Sequence, residues 1–104
     1  MINQQPVTQV LKWLLTTTKG GNTRAQILNA LKQKPQNTNQ LATYLKKSYK
    51  TISHHITILK KYKLISSIGG TYGTTYFLSQ SMEENYHIVQ EITNNKKPIK
   101  IMQK

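Results

Sequence analysis

The sequence has no cysteine, no aspartate and only three acids, Glu83, Glu84 and Glu91, against 15 lysines and arginines. Without cysteine there is neither a disulfide framework nor a thiolate zinc site. No apolar run approaches the ~18 residues of a membrane-spanning helix. Met1 to Pro6 has no basic segment leading into a long apolar stretch. A secretory signal is therefore not expected, and the reading is of a cytoplasmic protein. No glycine-rich phosphate loop precedes a helix, and no paired carboxylates fall in a cleft. Glu83-Glu84 sits at a helix start, where capping accounts for it. Neither an enzyme nor a bound cofactor is expected. A chain of 104 residues has room for one domain with one modest core.

What is present is positive charge. The formal net charge is +12, and residues 1–82 carry eleven bases and no acid. A codon bias toward Lys, Asn and Ile would enrich lysine but would not delete acids. A one-signed field of this kind accumulates polyanions and speeds encounter with them. DNA or RNA is the first candidate, and an anionic membrane surface is the second.

Apolar spacing orders the chain. A first helix is predicted from Pro6 to Thr17 and ended by Gly20-Gly21, with proline suited to the first helical position. Val7, Val10, Leu11, Trp13, Leu14 and Leu15 cover an arc of roughly 200° on it, wider than a one-sided helix needs. Either a partner subunit or the domain's own wrapping must cover the second side. A second helix starts at Thr23, where Thr23 to Gln26 fits a capping box, and stops before Pro35. Thr38 caps a short third helix with Leu41, Ala42 and Leu45 inward. Lys46 and Lys47 follow, and Ser48 caps a fourth helix, from about Tyr49 to Lys61. The short gap is that of a helix-turn-helix.

On the fourth helix Ile52, Ile56 and Leu59 share the inner face. Lys50, His54, Thr57 and Lys61 form the opposite stripe, with Thr51 and Ser53 on its flanks. His55 lies at the edge of the buried face and reads as a structural histidine. Residues 64–68 and 74–78 are predicted strands, joined by a loop over 69–73. Ser81 to Glu84 fits a second capping box, opening a last helix over 81–93. Met82, Tyr86, Ile88, Val89 and Ile92 span about 160° of it, again broad for a single packed face. Residues 94–104 are a basic tail, expected to be poorly ordered. Thus 1–93 is read as one domain, mainly α with a small β-hairpin and about five helices.

Leu41-Ala42, Thr51-Ile52-Ser53-His54-His55-Ile56, Leu59, Leu64-Ile65 and Tyr76-Phe77-Leu78 together resemble the winged helix-turn-helix of the arsenic-repressor-like (ArsR) transcription regulators. The likeness covers about Thr23 to Leu78, with the helix-turn-helix over 38–62 and the wing over 64–78. It implies a homodimer, paired through the flanking helices 6–17 and 81–93. That dimer would bind double-stranded, roughly palindromic DNA, often to repress transcription. Carried over by position, Ser48, Tyr49, Lys50, Thr51, Ser53 and His54 would face the DNA. The helical wheel adds Thr57 and Lys61. Lys46 and Lys47, with Lys60 and Lys63, read as phosphate anchors. Arg24 and Lys32 are weaker candidates.

The partner contact is expected at Val10, Trp13, Leu14, Tyr86, Val89 and Ile92. The wing differs from the family's in lacking Arg and Lys, which leaves Tyr72 and Thr71 as its hydrogen-bonding groups. The cysteines that metal-sensing members place where Asn39 to Leu45 stand here are missing. His87, with Glu83, Glu84 and Glu91, reads as surface charge, so no metal is expected. No small-molecule effector is signalled. Two other readings stay open: a winged-helix module binding protein or RNA, and a basic peripheral membrane protein.

Overall fold

The computed structural model describes residues 7–70 and 73–96. Pro6, Thr71, Tyr72 and residues 97–104 of the predicted tail lie outside them. The first helix, α1 (Val7–Lys12), runs straight into a wider π-helical turn, Trp13–Thr17. Three threonines loosen this end. Thr16 donates its hydroxyl to the Lys12 carbonyl, Thr17 to that of Trp13 at 2.9 Å and Thr18 to that of Leu14 at 3.2 Å. Such back-bonding competes with the regular ladder and bends helices.

The chain then turns at Gly20, whose φ of +90° is left-handed. A Cβ there would lie 2.6 Å from Cε1 of His55, and one on Gly21 only 2.3 Å from the Leu15 carbonyl oxygen. Both glycines are therefore fixed by close approach. They set the start of α2 (Gly21–Gln33), whose N-cap is Gly20 with no side-chain cap. The capping box predicted at Thr23 does not form, because the turn opens the helix two residues earlier.

The third helix, α3 (Thr38–Leu45), is capped by Asn37 rather than Thr38. The Gln40 N–H donates to Oδ1 of Asn37 and the Asn37 N–H to Oε1 of Gln40, both at 2.8 Å. Thr38, one residue later, is buried. The fourth helix, α4 (Tyr49–Lys61), starts as predicted, with the Thr51 N–H donating to Ser48 Oγ at 3.0 Å.

Strands β1 (Ile65–Gly70) and β2 (Gly73–Leu78) pair antiparallel, from Ile65 opposite Leu78 to Gly70 opposite Gly73. Gln36, in the loop between α2 and α3, extends this hairpin. Its N–H donates to the Tyr76 carbonyl at 3.1 Å, and the Tyr76 N–H returns to the Gln36 carbonyl at 2.8 Å. The buried Gln36 amide also donates to the Ala30 carbonyl at 3.1 Å, tying the wing to the end of α2.

The last helix departs from the prediction. It is two helices, α5 (Gln80–Glu84) and α6 (Tyr86–Lys96). Ser79, not Ser81, caps α5 by accepting from the Met82 N–H at 3.2 Å. Asn85 separates the two, its side-chain amide donating to the Ser81 carbonyl at 2.8 Å. Asparagine competes for backbone partners in this way and breaks helices. Residues 94–96, predicted to start the tail, continue α6.

The core explains the broad apolar arcs. Helix α6 packs along α1 and its π turn within the same chain. Leu14, Tyr86, Val89 and Ile92, predicted for a partner contact, are buried in this single-chain core. Val10 is half-buried against it, and Trp13 is 48% exposed. The width of the arcs thus reflects the domain wrapping its own first helix, and it does not require a second subunit.

Gly20→Ala should destabilise the fold by about 1–3 kcal/mol, the usual cost of holding a side-chain-bearing residue in a sparsely populated backbone region. Chemical denaturation of the variant beside the parent protein checks this.

Candidate nucleic-acid interface

The outer stripe of α4 is uncovered. Tyr49, Lys50, Thr51, His54, Thr57 and Lys61 are exposed and Ser53 is half-buried, while Ile52, His55, Ile56 and Leu59 face the core. Ser48 is also exposed, and its hydroxyl donates to Thr51 Oγ1 at 2.9 Å. The Thr57 hydroxyl donates to the Ser53 carbonyl at 3.1 Å. Its methyl group and oxygen lone pairs, rather than its proton, are therefore what it offers outward. The predicted stripe is correct in membership and differs in that one donor.

Cations flank the helix at both ends. Lys46 and Lys47 precede it and Lys60, Lys61 and Lys63 close it, all exposed. Lys46 (φ +59°) and Lys63 (φ +62°) are the non-glycine residues with left-handed backbone among the described residues. Glycine or asparagine would sit in those positions more easily. Both positions nevertheless carry an ammonium group. Arg24 and Lys32 do not join this surface. Lys32 pairs with Glu83 at 2.9 Å and lies 5.5 Å from the Tyr86 ring centroid, so it holds α2 to the C-terminal helices.

Arg24 is 3% exposed and pairs with no carboxylate among the described residues. Its guanidinium is received by the C-terminal end of the first helical segment. Nε donates to the Leu14 carbonyl at 3.0 Å and Nη2 to the same oxygen at 2.8 Å. Nη2 also reaches the Thr18 hydroxyl and the Lys19 carbonyl. The Leu14 carbonyl belongs to the last turn of that segment, at the negative end of its dipole. The fourth partner is His55 on α4, whose Nδ1 lies 3.1 Å from Nη1. Arginine can only donate, so Nδ1 accepts and the ring proton sits on Nε2. His55 is 7% exposed, and burial, then the charges of Arg24, His54 and Lys47, hold its pKa below the usual histidine range. Burial likewise lowers the Arg24 pKa from its ordinary value.

The sequence placed Arg24 among weak surface candidates and missed Gln36. Helical periodicity puts Arg24 on the face of Ile27, Leu28 and Leu31, and that position was the available signal. Among the described residues no three His, Cys, Asp or Glu side chains gather around one point. None of the described helices is long and apolar enough to cross a membrane.

An exposed helix set by a short turn on α3 and followed by a β-hairpin defines a winged helix-turn-helix. Residues 21–67 match the model of the bacterial regulatory protein arsR family, so this stretch is similar to the winged helix-turn-helix of those regulators. That family comprises regulators rather than enzymes. No curated protein sequence matches the chain.

Solved structures share the fold. The transcriptional regulator HlyU from Vibrio vulnificus is 18% identical, with a TM-score of 0.63 over 83% of this chain and 88% of that one. The homodimeric winged helix-turn-helix DNA-binding domain of Mb0332 from Mycobacterium bovis is 18% identical, with a TM-score of 0.65 over 92% of this chain and 93% of that one. The adhesin competence repressor AdcR from Streptococcus pyogenes is 24% identical, with a TM-score of 0.62 over 86% of this chain and 66% of that one.

A depressed His55 pKa has a definite sign. The neutral ring is favoured in the folded state, so its contribution is complete above the unfolded value of about 6.5 and is lost as pH falls through the lower folded value. The melting temperature should therefore drop on acidification from neutral pH. His55→Gln keeps an acceptor for Arg24 and cannot titrate there, so its melting temperature should fall less over the same range.

Proposed function

We propose that this protein is a transcriptional repressor that binds double-stranded DNA as a homodimer at a roughly palindromic site, with α4 in the major groove. The carrying observation is the uncovered stripe of α4, flanked by lysines at both ends, in a chain without acid before Glu83. Lys50 and His54 are the base-edge readers in this reading. Each can donate to guanine O6 or N7, and a well-made bidentate contact is worth about 1–3 kcal/mol of discrimination. Thr57 offers its methyl group to thymine. Ser48, Tyr49, Thr51 and Ser53 serve phosphates or base edges. Lys46, Lys47, Lys61 and Lys63 hold phosphates, which gives affinity without sequence information. The wing contributes less, since its described part carries no cation.

The homodimer draws support from the homodimeric Mb0332 domain. The broad arcs no longer argue for it. A cytoplasmic location follows from the DNA target. An RNA- or protein-binding winged helix is the rival reading.

Selection of bound sites from a random duplex pool tests the proposal. Two inverted half-sites about 10 base pairs apart are expected. Binding should fall linearly on a log–log plot against salt, and each phosphate-holding lysine changed to alanine, lost from both protomers, should reduce the slope by roughly 1.8. Equal affinity for single-stranded RNA, or recovery of no common sequence, would overturn it.

A further inference from the structure

A cavity of about 930 Å³ opens between the N-terminal helix and the end of α4. It is of the size that takes a small organic molecule. Val7, Val10 and Trp13 line one side, and Lys61, Tyr62 and Lys63 line the other. The two aromatic rings meet edge to face, with centroids 5.7 Å apart. Lys61 Nζ lies 5.6 Å from the Tyr62 ring centroid, so its charge sits beside the aromatic surface.

The lining contains two cations and no carboxylate. Nearby acids are engaged elsewhere, Glu83 with Lys32 and Glu84 with the Gln80 amide. Neither Lys61 nor Lys63 forms an ion pair among the described residues. An apolar, aromatic wall beside two unpaired ammonium groups is complementary to one class of ligand: a carboxylate carried on an apolar or aromatic body. We infer that this cavity is a binding site for such an amphipathic organic anion. The site stands whether or not α4 binds DNA. Because Lys61 and Lys63 also flank the DNA-facing stripe, the ligand would neutralise cations that the proposed DNA contact uses.

Trp13 is the only tryptophan of the chain, so its emission reports on this cavity alone. The full-length protein is titrated with 4-phenylbutyrate and, in parallel, with the uncharged 4-phenylbutanol. The acid should produce a saturable change in Trp13 emission and bind more tightly than the alcohol. Lys63→Gln should weaken the acid by about two- to fivefold, as expected for one partly solvated ion pair, and leave the alcohol unchanged. Three results would overturn the assignment. One is no saturation up to the solubility limit of the acid. Another is equal affinity for acid and alcohol. The third is an affinity that falls as protein concentration rises, which would mean that a second copy of the chain fills the space.

Discussion

A buried guanidinium with no counter-acid among the described residues is the constraint around which this domain is arranged. Arg24 cannot shed its proton, and an unpaired charge in the interior is prohibitively expensive. The chain meets it with dipoles instead of a carboxylate. The π-helical widening at Trp13–Thr17 presents the Leu14 carbonyl, which also accepts the Thr18 hydroxyl, to two of the arginine's N–H groups. Gly20 then brings the chain against His55, and the imidazole takes the remaining direction. One side chain thereby joins the end of the first helical segment, the start of α2 and the middle of α4. The orientation of α4, and so the direction in which Lys50 and His54 point, is set from behind by this cluster.

Solving a buried charge without an acid suits the rest of the molecule. An aspartate beside Arg24 would have been the common arrangement, but it would also have lowered the positive field around α4. Helix-end carbonyls neutralise the arginine locally and contribute no net charge. The three acids are kept to α5 and α6, where Glu83 pairs with Lys32 on the far end of α2. Inner packing and outer field are thus compatible along the whole helix-turn-helix.

The parts legible in the sequence were those governed by local rules. Ile52, Ile56 and Leu59 share a helical face by spacing alone, Ser48 could be recognised as a cap, and the β-branched strands flanked a glycine-rich loop. The errors arose where tertiary contacts outweighed local signals. Thr23 had a good capping sequence, yet the approach of Leu15 to Gly21 started α2 earlier. Ser81 had another, yet Ser79 was better placed and Asn85 broke the helix. The broad arcs on the first and last helices favoured a partner subunit over the domain's own wrapping. Leu14, Tyr86, Val89 and Ile92 belong to a helix pair packed within the chain, a fact that spacing along either helix could not contain. Arg24 was ambiguous because charge usually signals the surface.

Lys46 and Lys63 close their helices in a backbone conformation that glycine adopts with less strain. Both positions therefore hold a compromise between ease of folding and retention of a cation. A population of variants enriched only for heat resistance would drift toward glycine or asparagine at these two sites, growing sturdier while losing the electrostatic grip around α4. Thermal robustness and the proposed polyanion contact would in this way be opposed at the same two residues.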